Sequence, residues 1–119
     1  MTNEALVKQQ VKELLELLGA YQFMPVQRGM GKKTVDFLCC IQGEFVAIET
    51  KRPGKSPTKL QSLIMEEIKL AGGIAVWGAS IWEILNKLRA YYSVSISATV
   101  QDKWRRQYED ARYRANRRR

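Results

Sequence analysis

The sequence predicts an α/β fold: a mixed central sheet flanked by helices in the order α-β-β-β-α-β-α, with a basic helix appended at the C-terminus. Three observations predict it. Apolar residues recur at helical spacing in the first eighteen positions, two strongly apolar runs flank Gln42-Gly43, and a helix–strand–helix pattern follows a basic Pro/Gly turn.

Val7, Val11, Leu14, Leu15 and Leu18 mark a helix over residues 3–18, with Thr2 or Asn3 as its cap and Gly19 as its stop. A first strand is expected over Tyr21–Arg28, interrupted by Pro25, before the basic connection 29–33. Val35–Ile41 and Phe45–Ile48 read as a β-hairpin about Gln42-Gly43. Arg52–Lys55 is a basic turn containing Pro53 and Gly54, and Ser56-Pro57 opens a second helix that runs to about Leu70 and stops at Gly72-Gly73. Ile74–Trp77 is a short buried strand, and Ile81, Ile84, Leu85 and Leu88 define a third helix. Alternation of Val94, Ile96, Ala98 and Val100 predicts an extended segment over 93–100. The last helix carries Val100, Trp104, Tyr108, Ala111 and Ala115 on one stripe, with Arg105, Arg106, Arg112 and Arg114 around it, and Trp77, Trp82 and Trp104 read as core or interface residues. The expected organisation is a core over residues 1–92 and a basic extension over 93–119.

Composition narrows the chemistry. With 119 residues, 45% of them apolar and 27% charged, the chain is of single-domain size and globular. It has no histidine, and its two cysteines are the adjacent pair Cys39-Cys40. Those absences exclude histidine-containing triads, zinc fingers and haem ligation, so an enzyme built here works with carboxylates, Lys, Arg, Tyr or a borrowed metal. No apolar run approaches the ~20 residues of a membrane span, and the polar N-terminus lacks a signal stretch, so a reducing cytoplasmic setting without a membrane is expected. The net charge is +8, of which the segment 101–119 supplies eight basic against three acidic residues. Such a terminus fits a polyanion partner, and equally a solubilising tail or a basic protein contact.

Asp36 is the one aspartate in the first hundred residues, and it lies inside the apolar run Val35-Asp36-Phe37-Leu38. Glu49 follows Phe45-Val46-Ala47-Ile48 in the same way. A two-residue turn at Gln42-Gly43 pairs Ile41 with Glu44, and the same register carried along the hairpin sets Asp36 across from Glu49, with Cβ atoms about 5 Å apart. Two buried like charges at that distance repel, and a divalent cation between them removes the conflict; oxygen ligands suit Mg²⁺ or Mn²⁺. Lys51, two residues on, projects from the same face as Glu49, while Thr50 faces away but offers its carbonyl as a ligand. A buried Asp/Glu/Lys ion-pair network is the alternative for this trio. Glu4 continues the buried stripe of the first helix, either as a third acid near the metal or as a first-turn partner of the helix dipole. Gln61 is either a member of a Thr58-x-x-Gln61 capping box or a side chain aimed at the site from the face of Ile64 and Ile68. Arg52, Lys55 and Lys59 follow the acids and would track a phosphate backbone, as would Lys32 and Lys33 from the other side.

Asp36 followed by Glu49-Thr50-Lys51 at the end of the next strand resembles the PD-(D/E)xK nuclease superfamily. Glu4 in the first helix, Gln61 in the helix after Gly54-Lys55-Ser56-Pro57, and Ala71-Gly72-Gly73 before an apolar strand narrow the resemblance to the virus-type replication-repair nuclease (VRR-NUC) family, over about residues 3–90. The chain departs from that family's Gly-x-Pro-Asp, having Lys33-Thr34-Val35-Asp36. The resemblance implies a restriction-endonuclease-like core and a Mg²⁺- or Mn²⁺-dependent endodeoxyribonuclease. It further implies Asp36, Glu49 and the Thr50 carbonyl as metal ligands, and Glu4 as a ligand directly or through water. Lys51 would activate water and Gln61 would help position it. Short members resemble Holliday-junction resolvases, which implies a homodimer on branched DNA, with Arg105, Arg106 and Arg112 of the last helix on DNA and its Trp104–Tyr108 stripe in the dimer contact. A bacterial or virus-infected cell would be its setting. A nuclease of the same fold acting on flap, splayed or duplex DNA, and a non-catalytic basic DNA-binding module, are the alternatives.

Overall fold

Gln42 and Gly43 have φ of +50° and +83°, the two successive left-handed residues that a two-residue hairpin turn requires. Around that turn, the computed structural model, which describes residues 3–26 and 34–117, is ordered as follows. Helix α1 (Asn3–Leu17) precedes strands β1 (Tyr21–Phe23), β2 (Phe37–Ile41) and β3 (Glu44–Thr50); α2 (Lys59–Leu70), β4 (Ile74–Gly78), α3 (Ile81–Leu88) and α4 (Ala98–Arg117) follow. The expected element order is therefore present. Lys32 and Lys33 lie outside the described residues.

The four strands form one sheet in the order β1-β2-β3-β4, antiparallel across the first two junctions and parallel between β3 and β4. The hairpin register runs from Ile41 opposite Glu44 to Phe37 opposite Ile48, as the turn demands. Alternation along the strands then sorts side chains to two faces. Phe37, Cys39, Ile41, Val46 and Ile48 join residues of α1, α3 and α4 in the larger core, whereas Ala47 and Ala75 pack with Ile64 and Met65 of α2 on the other face.

Several boundaries differ from expectation for physical reasons. β1 ends at Phe23, two residues before Pro25, which has no N–H to give to a ladder. β2 starts at Phe37 because Val35 turns into the α2-side cluster, where it is fully buried. β3 runs on to Thr50 because β4 pairs with its far end, Glu49 with Trp77 and Thr50 with Gly78. α2 starts at Lys59, with Thr58 as its cap. The extended segment predicted over 93–100 is not a strand: α4 begins at Ala98, and the Ser97 hydroxyl accepts from the Val100 N–H at 3.3 Å. The alternation there reflects Ile96 and Val94 dipping into the larger core as the chain crosses it.

Of the two places open to Trp104, core or dimer contact, the structure takes the core. Its side chain is 0% exposed within one chain, edge-on to Trp82 with ring centroids 6.0 Å apart. Its indole N–H donates to Glu13 Oε1 at 2.6 Å, and Gln10 Nε2 donates to the Trp104 carbonyl at 3.2 Å and to Gln107 Oε1 at 3.0 Å. Lys103 pairs with the other oxygen of Glu13. The start of α4 is thus riveted to α1, and the indole is not available to a second copy.

Candidate metal and phosphate site

The hairpin and the parallel β3–β4 pair together build one end of the sheet. Asp36 stands one residue beyond the last antiparallel pair, at a bend, so its carboxylate is free of the strict alternation of the strand. Its Oδ2 accepts from the Thr50 N–H at 3.0 Å and from the Thr50 hydroxyl at 2.6 Å. Lys8 of α1 brings its ammonium to 3.8 Å from the other oxygen, Oδ1. Glu49 lies on β3 beside it, 1% exposed, and the two carboxyl groups share a hydrogen bond. The second oxygen of Glu49, Oε2, is buried without a hydrogen-bond partner.

These surroundings split the two acids. Burial alone would raise Asp36, but the hydrogen bond to Glu49, the two from Thr50 and the charge of Lys8 hold it below the usual aspartate value. Burial, the shared hydrogen bond and the negative charge of Asp36 push Glu49 up to about 8, with Lys51 opposing. The pair is thus pushed apart in opposite directions, with Glu49 the member that holds a proton more tightly.

Lys51 is the first residue past β3, and its N–H donates to the Gly78 carbonyl at 2.9 Å, which fixes where its side chain leaves the sheet. Strand periodicity directs that side chain to the face of Glu49. Glu4 is one helical turn before Lys8 on α1 and partly buried. Among the described residues, no three Asp, Glu, His or Cys side chains gather closely enough to hold a metal, so Glu4 does not join Asp36 and Glu49 directly. Lys8 is the α1 side chain that does. Gln61 caps α2: its Oε1 accepts from the Thr58 N–H at 2.9 Å and its N–H donates to Thr58 Oγ1 at 3.1 Å, a closed capping box. Arg52, Lys55 and Lys59 are exposed in the turn and at the start of α2. On α4, Arg105 pairs with Asp102 at 2.7 Å, and Arg106 and Arg112 are exposed.

Two contributors, Lys8 and the Thr50 hydroxyl, are absent from the sequence-derived site. Lys8 lies four residues after Glu4, on the same helix face, and that spacing was the available signal. Thr50 was assigned to the opposite face by parity. Parity does not bind Asp36, which lies beyond the ladder and turns to reach the Thr50 hydroxyl.

Two adjacent carboxyl groups with an orphaned buried oxygen fit a hard divalent cation that completes its shell with water and substrate oxygens. No protein-family model matches the sequence. No curated protein matches it either. A solved structure described as a VRR_NUC domain superposes on the chain with a TM-score of 0.67 at 21% identity, covering 77% of this chain and 100% of that one. At that identity the likeness establishes a shared fold, a four-stranded mixed sheet flanked by helices.

Proposed function

From a chain that shares the fold of a VRR_NUC domain and ends its central hairpin in two adjoined acids, we propose a metal-dependent endonuclease acting on DNA. The observation that carries it is Asp36 beside Glu49, whose Oε2 is buried and unpartnered, with Lys51 leaving the sheet from the same face. Asp36, Glu49 and the Thr50 carbonyl would hold a Mg²⁺ or Mn²⁺ ion, with Glu4 reaching it through water. Such an ion, when bound, lowers the pKa of water and polarises the phosphoryl oxygen.

The chain's own residues do the rest. Thr50 fixes the rotamer of Asp36 through two hydrogen bonds, so one carboxylate is oriented before any ion arrives. Glu49 gives up its shared proton when the pair is loaded. Lys51 orients the attacking water and opposes the charge that develops on the phosphate. Gln61 caps the start of α2 and, from that position, would help place the attacking water. The substrate is branched DNA, and a two-fold dimer supplies the two cuts that symmetric resolution of a four-way junction needs.

Cleavage of a four-way junction, a flap and linear duplex, each with Mn²⁺, with Mg²⁺ and with chelator, tests this. Metal-dependent cutting with the junction preferred is the expected result, and Asp36→Ala abolishes both cutting and calorimetric Mn²⁺ binding. Preference for the flap or duplex would replace the resolvase by another nuclease of this fold. Absence of Mn²⁺ binding to the parent chain would instead leave Asp36, Glu49 and Lys8 as a structural ion-pair network.

A further inference from the structure

β4 carries the next side chain along the same end of the sheet. Glu49 pairs with Trp77 in the parallel ladder, so both project from one face, a strand spacing of about 4.8 Å apart. Lys87, on the last turn of α3, reaches round the free edge of β4 to this position. Its ammonium donates to the Trp77 carbonyl at 2.6 Å and stands 4.4 Å from the centre of the indole ring. A carbonyl and a π-face hold a cation in place without neutralising it. The carboxylate one turn back, Glu83, is turned away to accept from the Ala79 N–H at 2.6 Å. The approach of α3 is set by Gly78, where a Cβ would meet Ile84 Cγ1 at 2.7 Å and Glu83 Cβ at 3.0 Å.

On the opposite flank, Lys8 stands beside Asp36, at the end of β2. Three lysines therefore serve three adjacent strand ends: Lys8 at β2, Lys51 at β3 and Lys87 at β4. Two strand spacings make a row about 10 Å long, of the same order as three consecutive phosphates, whose two nucleotide steps rise ~3.4 Å each along the duplex axis and leave a difference that flexible lysine stems take up.

We infer that Lys8 and Lys87, the latter positioned by Trp77, grip the phosphates on either side of the one that faces Lys51, so that a nucleic-acid strand crosses the end of the sheet from β2 to β4. This rests on the nuclease reading. It adds a direction for the strand and two phosphate contacts that neither the acid pair nor the basic turn supplies. The competing role for Lys87 is to cap the exposed edge of β4, which a stem and a carbonyl contact would satisfy without any DNA.

The test uses the full chain in chelator, so that binding is read apart from cleavage. Labelled four-way junction and duplex are titrated with parent, Lys8→Met, Lys87→Met, Trp77→Leu and the Trp77→Leu/Lys87→Met double variant at several salt concentrations. Methionine keeps the apolar stem and removes the charge. Each lysine variant is expected to bind about three- to tenfold more weakly and to lower the salt slope by about one unit. Trp77→Leu should cost about as much as Lys87→Met, and the double variant no more than either. Lys87→Arg, which retains the charge over the ring, should bind within about twofold of the parent, and Lys87→Gln, which keeps a donor for the Trp77 carbonyl and removes the charge, should weaken binding as Lys87→Met does and stands in should that variant fail to fold. Parent-like affinity and slope for Lys87→Met, with or without a lower melting temperature, would overturn the inference and reduce Lys87 to an edge cap. Metal-dependent cleavage by the parent would then still stand, so failure of the lysine row and failure of the nuclease reading are distinguishable.

Discussion

At the residue scale, the proton shared by Asp36 and Glu49 ties stability to pH in the metal-free protein. Glu49 has its folded pKa raised to about 8 from an ordinary 4.5, so the contribution of its proton is complete below about 4.5 and is lost as pH rises through 8. Asp36 is shifted the other way: its contribution is present above the ordinary value of 3.8 and is lost as pH falls through its lower folded value. Cys39 and Tyr92 are pushed up to about 12, chiefly by burial, and stay neutral throughout this range. Melts in chelator from pH 6 to 9 should therefore show the parent losing on the order of 2 kcal/mol, while Glu49→Gln, which cannot ionise, stays nearly flat across the range. The same proton must leave when a cation binds, so Mn²⁺ affinity by calorimetry should rise steeply, up to about tenfold per pH unit, until pH 8. Lys51 is expected to matter more for chemistry than for binding. Lys51→Ala should weaken DNA binding no more than about tenfold and lose cleavage by about two orders of magnitude or more, and an unchanged single-turnover rate would remove Lys51 from the mechanism.

At the element scale, the junction between β4 and α3 leaves no room for a side chain at Gly78. Gly78→Ala forces a Cβ to within 2.7 Å of Ile84 Cγ1. The expected loss is about 1–3 kcal/mol in urea denaturation, with DNA affinity falling alongside as α3 carries Lys87 away from Trp77. How much of these elements was legible follows from which force decides each. The hairpin was legible because two apolar runs and a two-residue turn fix one register, and that register alone brings Asp36 to Glu49. The capping box at Thr58 was legible as one of two roles for Gln61, because the Thr-x-x-Gln spacing alone specifies it, and its hydrogen bonds are formed. Segment 93–97 misled because apolar alternation is shared by a strand and by a connection crossing a core. α4 misled more deeply: a helix ringed with arginines looks external, but one tryptophan on its inner stripe, bonded to Glu13, is enough to make its first turns part of the core. Lys8 and Thr50 required the third dimension, since neither periodicity nor pairing connects α1 or the far face of β3 with a residue beyond the ladder.

At the scale of the whole molecule, residues 101–119 supply five of the +8 and the first hundred residues three. Among the basic residues of the first part, Lys8, Lys51 and Lys87 stand at the strand ends that carry the acid pair, whereas five arginines of the second lie beyond the anchored start of α4. Cutting the chain before Gln101 would remove Trp104 and is expected to cost about 3–5 kcal/mol, enough to unfold a domain of this size and to make any loss of DNA binding uninterpretable. Ending the chain after Asp110 keeps Trp104, Gln107 and their contacts with α1, yet removes five arginines, at 112, 114, 117, 118 and 119, and no acid. Arg114 is paired with Asp110 at 3.0 Å, so part of this charge is already offset locally, and fewer than five phosphate contacts should be lost. The truncated chain should melt within a few degrees of the parent and sediment as the parent does, because the indole stripe of α4 is enclosed within one chain. Its salt slope for a four-way junction should fall by about one to four units, with a smaller change on short duplex, whose arms offer α4 less backbone to follow. A slope equal to the parent's on both substrates would assign the arginine-rich end to solubility and leave DNA binding to the lysine-rich end of the sheet.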